Sequence, residues 1–191
     1  MCGINGFSWF DKERISEMNY ITRFRGPDDR GIFTDERVSL GHTRLSIIDL
    51  SSCGHQPMAN DDKTLWITYN GEVYNHAALR EDLIARGYSF SSTTDTEVIL
   101  YAFQEYGYEC MNRFNGMWAF CIYDTEKHQL TLCRDAFGIK PLYYYFDDER
   151  FIFSSMISAI YCHDIISTPN DRAIMEYLAY NLEDPTEDTF F

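Results

Sequence analysis

From residue 117 onward the chain gives up helical spacing for four short apolar and aromatic runs, 117–123, 129–133, 142–146 and 151–153, cut apart by turns rich in Asp, Glu, Lys and Gly. This pattern predicts an antiparallel meander of strands, and nothing with regular βαβ alternation can be threaded through it. The sheet it builds needs helices from elsewhere in the chain to cover it. The rest of the sequence offers them: apolar Ile15, Met18 and Ile21 recur at helical spacing over 13–24, a helix is predicted over 76–86, and two more over about 155–161 and 170–180. Thr94-Asp95-Thr96-Glu97 has the form of a capping box ahead of Val98, Ala102, Phe103 and Tyr106, which places Asp95 at a helix start. Further strands are predicted over 2–10, 38–48 and 65–69, the last closed by a turn at Asn70-Gly71, and Arg25-Gly26-Pro27-Asp28 is a helix-breaking loop. With strands and helices in separate blocks, the class is α+β.

A chain of 191 residues supports one substantial domain. Thirty acidic against 16 basic residues give a net charge of -14, which repels nucleic acid and anionic membrane, so no nucleic-acid or membrane partner is expected. Any anionic ligand must then be held by a local arginine. The six cysteines, Cys2, Cys53, Cys110, Cys121, Cys133 and Cys162, contain no C-x-x-C pair and no histidine at zinc-binding spacing, so no metal is expected and most are read as buried thiols. No run approaches the ~18 apolar residues of a membrane span, and the first ten residues lack a basic leader, so a cytoplasmic location is expected. Asp188-Thr189-Phe190-Phe191 ends the sequence on two aromatics, which reads as a longer protein cut at a domain edge.

Chemistry is concentrated at the start. Removal of Met1 would put the Cys2 thiol and a free α-amine on one residue, and since a thiol titrates near ~8.5 and an α-amine near ~7.7 to 8.0, the amine can take the thiol's proton at neutral pH. An internal cysteine has only an amide nitrogen and would need a separate base. Four further segments could serve amide chemistry on a small zwitterion, each with a plain structural alternative. Arg44 sits in an otherwise apolar strand, where its fork matches a carboxylate ligand, closes an internal salt bridge or snorkels out at an exposed edge. Asn70-Gly71 offers a side-chain amide beside a backbone N–H, the donors of an oxyanion hole, or forms a hairpin turn. Asp95 holds an ammonium group or complements its helix dipole. Arg25-Gly26-Pro27-Asp28-Asp29 is a surface turn or a buttress to a site.

Taken in order, Arg25-Gly26-Pro27-Asp28, Arg44 through Asp49, Gly54-His55-Gln56-Pro57-Met58, Tyr69 through Asn75, Asp95-Thr96-Glu97, Arg134-Asp135 and Gly138 through Tyr144 resemble the glutaminase domain of class II glutamine amidotransferases, in the asparagine synthase (glutamine-hydrolysing) branch. The likeness spans nearly the whole chain, 1–191. It departs at Ser155-Met156-Ile157-Ser158-Ala159, where the branch commonly carries Ser-Glu-x-Lys-Ala.

The resemblance implies the N-terminal-nucleophile hydrolase fold, a four-layer α/β/β/α sandwich of two antiparallel sheets covered by helices. It implies Cys2 as nucleophile, with Asn70 and Gly71 as the oxyanion hole. Arg44 would hold the α-carboxylate of glutamine, Asp95 and Glu72 its α-ammonium, and Leu45, Ile47 and Ile48 would line the pocket. Glutamine would become glutamate and ammonia through a thioester. It further implies a C-terminal synthetase domain as intramolecular partner, where ATP and Mg belong, no cofactor in these 191 residues, and an arrangement compatible with a homodimer. Two other readings stay open: a silent glutamine-binding or docking domain, and a glutaminase serving a sugar or another acid.

Overall fold

The computed structural model describes residues 1–180 and 190. The three-part ending Asp188, Thr189 and Phe191 lies outside the described residues. Among the described residues, nine strands form two antiparallel sheets. The first contains β1 (Gly3–Phe7), β2 (Asp29–Thr34), β3 (Ser39–Arg44), β8 (Tyr143–Phe146) and β9 (Phe151–Ser154), ordered β2-β3-β1-β9-β8. The second contains β4 (Met58–Ala59), β5 (Leu65–Val73), β6 (Gly116–Asp124) and β7 (Gln129–Arg134) in sequential order.

Three apolar clusters show how these sheets stack. Ile4, Leu40 and Phe153 of the first sheet meet Ala119, Cys121 and Tyr123 of the second, so the sheets lie face to face. On the outer face of the first sheet, Phe7 and Ile152 pack against Ile15 and Met18 of α1 (Lys12–Thr22) and against Ala159 and Ile160 of α4 (Ile157–Ile160). On the outer face of the second, Ile67, Tyr69, Phe120 and Ile122 pack against Leu79 and Leu83 of α2 (His76–Ala85) and Val98 to Ala102 of α3 (Asp95–Tyr106). The result is a helix/sheet/sheet/helix sandwich. Every residue of β1 is buried because its sheet is covered on both faces. α5 (Asp171–Tyr180) buries none of its residues.

Several local features differ from the sequence expectations. The predicted meander is split: β6 and β7 close the second sheet, whereas β8 and β9 join the first. The crossing is made at Asp135, whose carboxylate accepts the N–H groups of Phe137, Ile139 and Lys140 while Gly138 takes φ +63°. β3 stops at Arg44 instead of running on to 48, and β2 is a strand that apolar alternation does not announce. Only Cys110 and Cys121 are buried; Cys53 is exposed and the other three are half-buried. Thr94 does cap α3, accepting the Glu97 N–H, but the Glu97 carboxylate turns away to Ser91 and Ser92, so the reciprocal half of a capping box is not made.

The Asn70-Gly71 turn is also absent. β5 passes straight through both residues to Val73, with Gly71 opposite Trp118. Past Ile67 the strand has no second neighbour, and side chains replace one: Gln56 Oε1 accepts the Tyr69 N–H at 2.7 Å and Asp95 Oδ2 accepts the Val73 N–H at 2.9 Å. With the Tyr69 and Val73 N–H groups of its outer edge satisfied this way, the strand has no cause to turn.

Candidate active site

The antiparallel register brings Cys2 to Arg44. Gly3 pairs with Thr43, so the residue before β1 lies beside the last residue of β3, at one end of the first sheet. There the Cys2 thiol meets the backbone of Leu45, whose N–H points at Sγ from 3.4 Å and whose carbonyl lies 3.6 Å away. The Arg25 guanidinium donates from Nε to the Cys2 carbonyl at 2.9 Å, so the 25–28 loop buttresses this end of the sheet. Burial raises the Cys2 thiol above its ordinary range, only partly offset by the Leu45 N–H and by nearby positive charge. At neutral pH it is a thiol, and its reactivity depends on a base.

The neighbouring edge of β5 supplies two donors. In its pleat, Thr68 and Asn70 lie on the face turned to the first sheet, opposite Cys121 and Ala119, while Tyr69 faces the helices. Asn70 is buried and its Nδ2 has no hydrogen-bond partner among the described residues. The Gly71 N–H falls between those of Tyr69 and Val73 on the edge away from β6, and among the described residues it meets no side-chain acceptor such as theirs. Leaving a buried donor unpaired costs about 1–3 kcal/mol. An unpaired side-chain amide next to a backbone N–H and beside a thiol is an arrangement that can receive an oxygen anion. Glycine is required there, since a Cβ at Gly71 would overlap the Met117 carbonyl oxygen.

Opposite charges occupy the far end. The buried Arg44 guanidinium donates to the carbonyls of Ser51, at 2.8 Å, and Asp49. Among the described residues it makes neither the internal salt bridge nor the exposed edge that the sequence left open, so its charge is solvated by carbonyls and open to an anion. Gly54 makes room for it, because a Cβ there would overlap Arg44 Nη2. Asp95 opens α3, buried, with Oδ2 taken by the Tyr69 hydroxyl at 2.6 Å and the Val73 N–H; among the described residues no hydrogen bond reaches Oδ1.

A cavity of about 200 Å³ joins these groups. Its walls include all nine residues singled out in the sequence: Cys2, Arg44, Leu45, Ile47, Ile48, Asn70, Gly71, Glu72 and Asp95. Ile47 is 67% exposed and touches it only from the rim. Sequence reasoning gave no role to Asp49, Gln56, Tyr69 or Lys140, which line the same cavity. Tyr69 could have been found from strand alternation and Gln56 as a polar residue beside a buried edge. Lys140 lies in a turn that composition assigns to solvent, yet only 8% of it is exposed.

The sequence model of the glutamine amidotransferase domain matches residues 1–191. The chain belongs to this family. Members named asparagine synthetase (glutamine-hydrolyzing) are similar over most of it. Protein 1 of Bacillus subtilis is 40% identical over 169 residues, covering 88% of this chain and 27% of the relative. Protein 3 of the same organism is 39% identical, covering 90% and 29%. Asparagine synthetase B of Escherichia coli is 41% identical, covering 78% and 28%. The chain thus spans less than a third of the length of these curated relatives. The fold is shared with the glutamine phosphoribosylpyrophosphate amidotransferase of B. subtilis, with TM-score 0.70, 18% identity and coverage of 83% of this chain and 43% of that one.

Among the described residues no helix is long and apolar enough to cross a membrane, and no three His, Cys, Asp or Glu side chains gather as metal ligands.

Proposed function

We propose that this domain hydrolyses glutamine to glutamate and ammonia. The observation that carries the reading is the buried, unpartnered Asn70 Nδ2 beside Gly71, in one cavity with Cys2, Arg44 and Asp95. Once Met1 is removed, the Cys2 α-amine accepts the thiol proton, which burial otherwise holds in place. The thiolate attacks the side-chain amide carbon of glutamine, and the oxygen, now negative, is held by Asn70 and Gly71. The tetrahedral species expels ammonia, which takes the proton from the Cys2 ammonium, and leaves a thioester. Water then adds to the thioester with the amine again as base, releasing glutamate and restoring the thiol. Arg44 receives the α-carboxylate, and Asp95, through its free Oδ1 and with Glu72 near by, receives the α-ammonium.

In the longer protein that the relatives' lengths suggest, the ammonia would pass to a C-terminal synthetase domain, with ATP and magnesium acting there on aspartate to make asparagine. We place no cofactor within 1–191.

The test is an intact mass to establish loss of Met1, followed by glutamate release from glutamine with Cys2→Ala as control. Release that needs both a free Cys2 amine and its thiol is the expected result. Equal release from Cys2→Ala, or none from a chain with a free N-terminal cysteine, sinks the proposal.

A further inference from the structure

The two charged groups at the far end of the cavity sit on different parts of the chain, Arg44 at the end of β3 and Asp95 at the start of α3, and one carboxylate joins them. Asp49 Oδ1 accepts the Ser51 N–H at 2.8 Å and the Ser51 hydroxyl at 2.6 Å. Its other oxygen, Oδ2, accepts the Thr93 N–H and the Thr93 hydroxyl, both at 3.0 Å. The first pair shapes the 49–51 turn, whose carbonyls at Asp49 and Ser51 receive the Arg44 guanidinium. The second pair ties that turn to the segment just before the Thr94 cap, two residues from Asp95.

We propose that Asp49 is a positioning residue which fixes the separation between Arg44 and Asp95, and so selects a zwitterion whose carboxylate and ammonium fit both at once. The proposal rests on the glutamine reading above. Its physical basis is the number and placement of the bonds. All four are donated to one buried, ionised carboxylate, and such bonds are about twice as strong as neutral ones. The four donors, led by the Ser51 hydroxyl, hold Asp49 far below the ordinary carboxylate range, so it stays ionised throughout the neutral range. An asparagine in its place presents an N–H₂ group to one of the two backbone N–H groups that now donate to Asp49, so the tie on that side is lost.

The inference is tested by ligand binding in the Cys2→Ala background, where nothing turns over. The probes are glutamine, its decarboxylated analogue 4-aminobutanamide and its deaminated analogue glutaramate. Adding Asp49→Asn should weaken glutamine by about 10- to 100-fold, the scale of a lost bond to a charged group. The two half-ligands, each gripped at one end only, should change by less than about threefold, a difference that a general loss of structure would not produce. In the chain with Cys2, the loss should fall on KM more than on kcat. Thr93→Val, which removes one hydroxyl and keeps the backbone bond, should give a smaller shift in the same direction, and it serves if Asp49→Asn fails to fold. An unchanged glutamine affinity in both variants, or an equal loss for all three ligands, overturns the proposal. If the Cys2→Ala parent itself fails to bind glutamine, the glutamine reading falls and this proposal with it.

Discussion

The hydroxyl of Tyr69 donates a 2.6 Å hydrogen bond to Oδ2 of Asp95, joining the middle of β5 to the first turn of α3. Because the Val73 N–H takes the same oxygen, the carboxylate is pinned with Oδ1 left over. The acid beside it raises the Tyr69 phenol further, on top of the larger effect of burial, so Tyr69 remains a donor at every working pH. Tyr69→Phe removes the bond and keeps the ring in its apolar cluster. A bond to a charged group contributes about 1.5–3 kcal/mol, so a KM for glutamine raised about tenfold is expected, with a lower unfolding midpoint. Steady-state kinetics and a urea titration check it, and an unchanged KM would show that Asp95 needs no support from the phenol.

Asn70 and Gly71 are adjacent and make opposite predictions. Asn70→Ala deletes an unpaired donor and leaves the β5 ladder alone, so kcat for glutamate release should fall about 100- to 1,000-fold while KM and stability stay near their original values. Gly71→Ala forces a Cβ onto the Met117 carbonyl oxygen and should lower the unfolding midpoint as well as activity. Equal losses of stability in the two variants would make Asn70 a structural residue.

That contrast shows what a sequence can carry. The dipeptide was legible as two donors side by side, but the hairpin turn that the same residues favour elsewhere is not formed. Turn preference is local, and here it is outweighed by acceptors on Gln56 and Asp95 that arrive from 13 and 22 residues away. The split of the last four strands between two sheets was illegible for a similar reason. Apolar alternation marks Phe151 to Phe153 and Met117 to Tyr123 as strands without saying which neighbour each chooses, and the crossing at Asp135 is made by a carboxylate taking three backbone N–H groups. Arg44 was recognised as a buried guanidinium needing partners, but its partners are backbone carbonyls, which carry no signature in composition.

The packing around Arg44 allows its position to be tested apart from its charge. Arg44→Ala removes the guanidinium and should raise the glutamine concentration needed for half-maximal rate by about 100-fold or more, as expected for loss of a bidentate charged contact. Gly54→Ala keeps the charge but places a Cβ where Nη2 now lies, so the guanidinium must move. It should reproduce the direction of the Arg44→Ala effect in KM, with a smaller change in stability than an internal ion pair would show. A Gly54→Ala protein with unaltered KM would mean that the guanidinium's place is unimportant to binding.

Acid sensitivity should begin well above the carboxylate range, and His42 is the reason. It is fully buried between the sheets, its Nε2–H donates to the Tyr69 carbonyl at 3.0 Å, and its Nδ1 has no partner among the described residues. Burial brings its pKa down from 6.5 to about 4. Between those values the unfolded chain holds a proton that the folded chain refuses, so stability is full above about pH 6.5 and falls as the pH drops toward 4. At about 1.4 kcal/mol per pH unit, His42 accounts for about 3 kcal/mol across that window. His163, also brought to about 4 mainly by burial, acts in the same direction. Asp49 acts lower: its depressed pKa preserves its contribution until the pH falls through the ordinary carboxylate range. His42→Gln retains an N–H donor without a titrating group, while His163 is common to both proteins. Urea midpoints measured from pH 7 to 4 should therefore fall less steeply for His42→Gln than for the parent, and parallel curves would show that His42 is not the group that refuses the proton.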